Sequence, residues 1–370
     1  MRIGFDAKRI FHNSTGLGNY GRDVVRILSE HTNVSCFYLF NTKQSNIKFT
    51  LPERNATVVF PESWFWKSFP SLWRLLGQWK QIMAYDLDLY HGLSGEIPYN
   101  FRKKSVAKTV TIHDLIFLSH PHYYNFWDRL IYKLKFRYAC RTVDHIIAIS
   151  KETKSEIIKY FNVDEKKISV VYQGCHALFK TEIETDKKNA VKDKYRLPSE
   201  YVLYVGTLQE RKNALTLIKA VEGTEHQLVL VGKEKKYARK LYDYVEKHHL
   251  QSQITFIKDA DLEQLVAIYQ NATVFCYPSF CEGFGIPIIE ALYSKVPVVT
   301  TKSGCFPEAA GPDSIFIDPS SPEDIRNKIV WLFQNPTERK KIAEKGYQYA
   351  QQFNDENVAK NLINTYKKIL

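Results

Sequence analysis

Cysteine, acidic charge and long apolar runs are all scarce in this chain. Its 370 residues include six cysteines, at positions 36, 140, 175, 276, 281 and 305, and none forms a CxxC pair. Cys276 and Cys281 have no nearby histidine to complete a zinc set, so the thiols are expected to be buried and reduced, as in a reducing compartment. No apolar run reaches the roughly 18 residues of a membrane span. The opening MRIGFDAKRI lacks the apolar core of a signal peptide. A cytoplasmic chain is the expectation. Short-period repeats and low-complexity tracts are also missing.

What is present is a globular composition, 44% hydrophobic and 25% charged, with a net charge of +12. Residues 1–180 hold 26 Lys and Arg against 15 Asp and Glu, so nearly all of the surplus lies in the first half. One half is therefore expected to meet something anionic. Apolar strand-like runs (RIGFDA, VSCFYLF, VAKTVTIHD, then YVLYVG, HQLVLVG, TVFCYP, VPVVTT) alternate with amphipathic helical stretches along the whole length. That alternation predicts an α/β protein of two doubly wound, parallel-sheet domains. The polar stretch Phe179 to Glu200 marks the boundary, giving domains of residues 1–178 and 179–353. The last segment, from Asn354, has helical spacing and an Asn/Asp start suited to capping.

The stretch STGLGNYGRDVV sets Gly16, Gly18 and Gly21 at the spacing of a dinucleotide fingerprint. Two supporting conditions fail. The first strand ends near Asp6 or Ala7, well before Gly16, and no Asp or Glu occurs from residue 31 to 52 to hold a ribose. The segment is instead expected to be a flexible glycine loop that leads into a helix N-terminus, where backbone N–H groups face a phosphate or hydroxyl; ordinary turn glycines are the other reading.

The second half carries the clearer chemistry. In PSFCEGFGIPIIEALYSK, a strand runs into a glycine-bracketed loop and Pro287 suits the first turn of a helix. Gly283 and Gly285 let backbone approach a ligand, and the helix end favours phosphate. Glu282 in the loop and Glu290 a turn into the helix suit sugar or ribose hydroxyls. In YVLYVGTLQERKNALTLIKA, a strand ends at Gly206 and Arg211–Lys212 precede a helix that begins near Asn213. A cation pair at a strand's carboxyl edge suits a diphosphate. His113 and Asp114 also stand at a strand's carboxyl end, where a satisfied core histidine is the alternative.

These segments resemble the GT-B glycosyltransferases, specifically the retaining family 4 that includes many bacterial mannosyl- and glucosyltransferases. EGFGIPIIE is similar to that family's E-x7-E signature and YVGTLQERKN to its diphosphate loop, while STGLGNYGRDV, HGLSGEIP, TIHDLIFLSHP and IIAISKETKSEIIKYF match its N-terminal pattern. Asn19 stands where many relatives carry Arg, and Asn354 where a Trp is common. The resemblance implies two facing Rossmann-like domains with an interdomain cleft, the acceptor on the first and the donor on the second. A C-terminal helix, about 354–370, would cross back to the first. Glu290 would hold the donor ribose and Glu282 a hydroxyl of the transferred sugar. The Gly283–Phe284–Gly285 backbone would contact sugar and phosphates, and Arg211 and Lys212 the diphosphate. His113 would touch the sugar, Gly16 and Gly18 would border the acceptor side together with Asp114, and backbone near Lys258 to Leu262 would read the base.

The implied reaction is retaining transfer of a hexose, with GDP-mannose favoured as donor, to a hydroxyl of a glycan or polyprenyl-diphosphate-linked acceptor in surface polysaccharide synthesis. UDP-glucose or a UDP-N-acetylhexosamine is the alternative donor, and a non-enzymatic nucleotide-sugar-binding protein the alternative class. No cofactor or metal is expected: DLDLY spells a D-x-D metal motif at Asp86 and Asp88, but in a chain of this architecture it reads as strand-entry acids. Nucleic acid is not an expected partner, since no base-reading motif accompanies the charge. Trp64, Trp66, Trp73 and Trp79 cluster among cations, and Arg129, Lys133, Arg137 and Arg141 recur along one helical face. Together they suit peripheral contact with the inner face of an anionic membrane.

Overall fold

Strands such as YVLYV are apolar on both faces, as befits parallel sheets covered by helices on each side. The computed structural model describes residues 1–45, 49–51, 56–99, 101 and 106–370 and contains two such sheets. The first is built from β1 (Arg2–Asp6), β2 (Cys36–Phe40), β3 (Ala56–Val59), β4 (Leu89–Gly92), β5 (Ala107–Ile112), β6 (His145–Ala148) and β7 (Ile168–Val170), in the order β3-β2-β1-β4-β5-β6-β7. The second comprises β8 (Tyr201–Val205), β9 (Gln227–Val231), β10 (Ile254–Ile257), β11 (Val274–Tyr277), β12 (Val298–Thr301) and β13 (Ile315–Ile317), in the order β10-β9-β8-β11-β12-β13. Every pairing is parallel. The strand order reverses between β1 and β4 and again between β8 and β11, and open α/β sheets bind ligands beyond the carboxyl ends at such points.

The chain divides into a unit of Met1–Gln173 with Asn354–Leu370 and a unit of Gly174–Phe353. The division falls at Gln173/Gly174, ahead of the polar stretch Phe179 to Glu200, and the start of that stretch packs on the second unit. Phe179 is buried edge-on against Tyr269 at 5.4 Å, and Ile183 donates its N–H to Gln270 at 3.0 Å.

In the first unit, the helix Gly16–His31 buries Tyr20, Val24, Val25, Ile27 and Leu28 at helical spacing against Phe5, Phe37 and Leu39. The C-terminal helix Asp355–Lys367 adds Val358, Ala359, Leu362 and Tyr366 to the same cluster. Asn354 caps it through Oδ1, which accepts from Asn357 N at 2.8 Å, and Arg26 pairs with Asp355 at 3.0 Å. The chain thus returns to its first sheet through both packing and charge.

One expectation is corrected here. Gly16, Gly18 and Gly21 lie inside the helix rather than in a loop before it. Asn13 turns its Oδ1 onto Thr15 N at 2.8 Å and Gly18 N at 3.3 Å, so donors near the helix start are already engaged. A Cβ on Gly18 would stand 1.8 Å from the Asn13 carbonyl oxygen, and one on Gly21 2.8 Å from Ile10. These two glycines serve close packing. Of the cysteines, Cys36 is half-buried and the other five are buried, all as free thiols. Among the described residues, no helix is long and apolar enough to cross a membrane.

Candidate active site

The reversal between β8 and β11 collects the residues of most chemical interest. β8 ends at Val205, Gly206 follows, and a single turn at Glu210–Lys212 delivers Arg211 and Lys212. Asn213 stops that turn with φ 58°, a left-handed conformation that asparagine tolerates. Its side-chain amide donates to the carbonyls of Pro278 at 3.0 Å and Pro319 at 2.7 Å, tying the loop to the end of β11. β11 ends at Tyr277 and the chain passes through Glu282 and Gly283 to Gly285, whose φ of 110° begins the helix Ile286–Tyr293 with Pro287 in its first turn. Phe284 is buried with its ring against Phe353 at 5.6 Å, leaving backbone as the part this residue offers a ligand.

Glu282 Oε1 is the hub. It pairs with Arg211 Nη1 at 2.9 Å and Lys212 Nζ at 3.0 Å, and accepts from the hydroxyls of Tyr277 at 2.8 Å and Ser279 at 3.2 Å. Among the described residues, no hydrogen bond to Oε2 is found. Burial opposes the charge on Glu282, but Lys212 and Arg211 prevail and hold its carboxyl at about 2. Lys212 also donates to Tyr277 at 2.7 Å, and Arg211 to the Cys281 carbonyl at 2.8 Å. The two carboxylates of the loop and helix are tuned apart: burial pushes Glu290 up to about 7, with the Tyr269 hydroxyl (2.9 Å from Oε2) and Lys212 opposing. Thr300 and Thr301 on β12 brace the loop by donating to the carbonyls of Tyr277 at 2.9 Å and Ser279 at 2.7 Å.

Tyr277, Ser279, Tyr269 and Tyr204 were not marked by the motif reading. Tyr277 and Ser279 sit at the strand's end in FCYPSF, so the strand-end rule alone would have found them. Tyr269 comes from a preceding helix and leaves no local signal. Tyr204 is buried on β8 with a hydroxyl that has no partner among the described residues. Lys258 and Leu262 follow β10, two strands from β8. Lys258 pairs with Glu234 at 2.9 Å across the ring of Tyr242, and Leu262 opens a helix capped by Asp261.

In the first unit, His113 follows β5. Its Nε2–H donates to the Leu93 carbonyl at 2.8 Å, and the Tyr20 ring meets it edge-on at 4.6 Å. Burial lowers its pKa to about 4 despite the Leu93 contact, with Arg9 adding to the fall. The ring is therefore neutral at neutral pH, with Nδ1 as an acceptor. Asp114 accepts from Ile116 N at 3.2 Å, and a Cβ on Gly16 would meet nothing within 4 Å. Asp86 and Asp88 precede β4, at the edge opposite its carboxyl end. Arg2 engages both, through Nη1 to Asp86 at 3.0 Å and its backbone N to Asp88 at 2.7 Å.

Comparisons with known proteins agree with this geometry. The family described as "Glycosyl transferases group 1" matches residues 185–349, and "Glycosyltransferase Family 4" matches residues 16–177. O-antigen chain mannosyltransferase B of Escherichia coli is 28% identical over 385 residues, covering 99% of this chain and 100% of that protein. The O-antigen chain mannosyltransferase RfbU of Salmonella typhimurium is 29% identical over 235 residues, or 62% of each chain. Among solved structures, Anabaena Alr3699/HepE in complex with UDP and glucose superposes with a TM-score of 0.79 at 16% identity, covering 99% of both chains. Two parallel-sheet units, matched by one family model each, place the chain in glycosyltransferase family 4: it is a glycosyltransferase of the GT-B fold.

Proposed function

We propose that the chain is a retaining mannosyltransferase of surface polysaccharide synthesis that takes mannose from GDP-mannose. The observation that carries the donor site is the convergence of Arg211, Lys212 and Tyr277 on Glu282 at the β8–β11 reversal, with Glu290 a turn away. Arg211 and Lys212 receive the diphosphate, and the N-terminus of the Ile286–Tyr293 helix adds its dipole. Glu290 accepts from the ribose hydroxyls and Glu282 Oε2 from a hydroxyl of the sugar. In the reaction, the bond from the anomeric carbon to the phosphate oxygen breaks and its electron pair stays on the phosphate. The acceptor hydroxyl bonds to the same face of that carbon and passes its proton to the departing phosphate oxygen. Arg211, Lys212 and the helix end stabilise the departing charge. Two features support mannose in particular: both relatives above are named mannosyltransferases, and one aligns over 99% of this chain.

A uridine nucleotide is the second reading, favoured by the UDP and glucose named for the Anabaena structure. Thermal melts with GDP, UDP, GDP-mannose, UDP-glucose, UDP-N-acetylglucosamine and NAD separate the two. A ligand at about a hundred times its dissociation constant raises stability by about 2.7 kcal/mol. A shift with guanosine nucleotides alone supports the first reading, and one with uridine nucleotides alone replaces it. Transfer needs no metal in this proposal, because two cationic side chains occupy the diphosphate position and the D-x-D acids are engaged by Arg2 at the far edge of their sheet. Activity is expected to survive EDTA, and its abolition would overturn that assignment. For the acceptor we propose a lipid-linked glycan at an anionic membrane face. The helix Phe126–Thr142 exposes Phe126, Trp127, Ile131 and Leu134 alongside Lys133 and Arg137, apolar and cationic groups together.

A further inference from the structure

Arg211 and Lys212 are engaged with Glu282 through Oε1, which cancels one of their two positive charges, and among the described residues no hydrogen bond to its other oxygen, Oε2, is found. From this arrangement we infer that Glu282 is a specificity determinant that favours a sugar-bearing nucleoside diphosphate over the free nucleoside diphosphate. The inference rests on the donor-site reading above. A free nucleoside diphosphate ends in a phosphate that carries close to one additional negative charge at neutral pH, since such a phosphate loses its second proton near pH 6. In the sugar-bearing form that oxygen is esterified, and hydroxyls stand where the charge was.

Phosphate oxygens that take hydrogen bonds from the same two cations would lie within roughly 6 Å of Oε1, given two contacts of about 2.9 Å meeting at one nitrogen. In a half-buried site, a like charge at that separation changes affinity by about ten-fold or more. Glu282 therefore opposes the extra charge of the free diphosphate. A sugar hydroxyl, by contrast, donates to Oε2 and gives the carboxylate a partner. Tyr277 and Ser279 hold the carboxylate in place by bonding to the other oxygen, so its charge cannot swing away from the cations. After transfer, the same repulsion loosens the diphosphate product.

The test is calorimetric affinity for GDP, GDP-mannose, UDP and UDP-glucose in the wild type, Glu282→Gln, Glu282→Ala and Glu282→Asp, with thermal melts to establish folding. Removing the carboxylate unpairs two half-buried cations, so lower melting temperatures are expected in the Gln and Ala variants. The Ala variant leaves room for water and carries the test if the Gln variant does not fold. The inference expects Gln and Ala to bind the free diphosphate about ten-fold or more tighter and the nucleotide sugar no tighter. Asp, which keeps the charge, retains the wild-type preference. Weaker diphosphate binding in Gln and Ala would mean that Glu282 orients the cations, and an unchanged preference would mean that it acts on neither; each overturns the inference while leaving the donor site standing. If the wild type binds none of the four ligands, the donor-site reading falls and takes this one with it.

Discussion

Glu290 and Glu282 are two carboxylates within one loop and helix turn, and their surroundings give them opposite pH behaviour. Burial sets Glu290 near 7, against the opposition of Tyr269 and Lys212, whereas burial also raises Glu282 but Lys212 and Arg211 hold it near 2. In the proposed donor site a ribose hydroxyl donates to Glu290, which must then be ionised to accept a pair of such bonds. Donor affinity is therefore expected to rise several-fold between about pH 6 and pH 8, approaching ten-fold per unit on the acid side. Titration calorimetry across that range checks it, and Glu290→Gln should flatten the profile. The stability effect runs the other way. The folded pKa of Glu290 lies above the ordinary carboxylate value of 4.5, so its contribution is complete below 4.5 and is lost as pH rises through about 7. For Glu282, the contribution is present above 4.5 and is lost as pH falls through about 2. The proposal places Lys212, which pairs with Glu282 in this hub, on the departing phosphate. Lys212→Ala is expected to lower kcat by about a hundred-fold, in the range of losing one donor to a developing oxyanion. An unchanged kcat in a single-turnover assay would remove it from the departing phosphate.

The first long helix shows how a glycine pattern can be read correctly for spacing and wrongly for use. Gly18 lies against the Asn13 carbonyl oxygen, where a Cβ would be 1.8 Å away, while Gly16 faces open space. Backbone cannot yield as a side chain does, so Gly18→Ala is expected to destabilise the first unit by about 1–3 kcal/mol. Gly16→Ala should be neutral or stabilising by up to about 1 kcal/mol, through the smaller entropy of the unfolded chain. Urea melts of both variants compare them directly; equal effects would mean that the Asn13 contact does not constrain the helix. The error has a physical origin. G-x-G-x-x-G spacing records where side chains are forbidden, and both a phosphate loop and a helix crossing forbid them. By contrast, Gly283, Gly285 and Pro287 were legible, because a strand end, a left-handed residue and a first-turn proline constrain one another locally. Tyr269 and Asn213 show the limit. Their partners, Glu290 and the carbonyls of Pro278 and Pro319, are brought to them only by the folded sheet.

Alternation of apolar strands with amphipathic helices is a property of the whole chain, and it predicts the two parallel sheets that the structure contains. Aromatic clustering was less faithful, because side-chain direction depends on helix phase. Of the four tryptophans from Trp64 to Trp79, Trp73 is buried in the first unit's core, Trp66 and Trp79 are half-buried, and Trp64 is 81% exposed. The basic helix, read only for its cations, also exposes Trp127 at 70% and Phe126 at 65%. Glu96 joins these two regions by pairing with Arg74 from one and Lys135, at 3.2 Å, from the other. Exposed rings beside Lys133 and Arg137 suit the interface of an anionic bilayer, where rings enter the headgroup boundary and each cation near the surface adds about 1 kcal/mol. Binding is then expected to have two separable parts. Vesicles containing anionic lipid should sediment the protein at low salt, and neutral vesicles should do so far less. Raising salt to about 0.5 M should weaken the charge-dependent part, since screening then acts within a few ångströms. Trp127→Ser with Ile131→Ser should lower the binding that survives salt, while Lys133→Glu with Arg137→Glu should remove most of the salt-sensitive binding. If the wild type ignores anionic vesicles at low salt, the exposed rings have another partner and the lipid-linked acceptor loses its support.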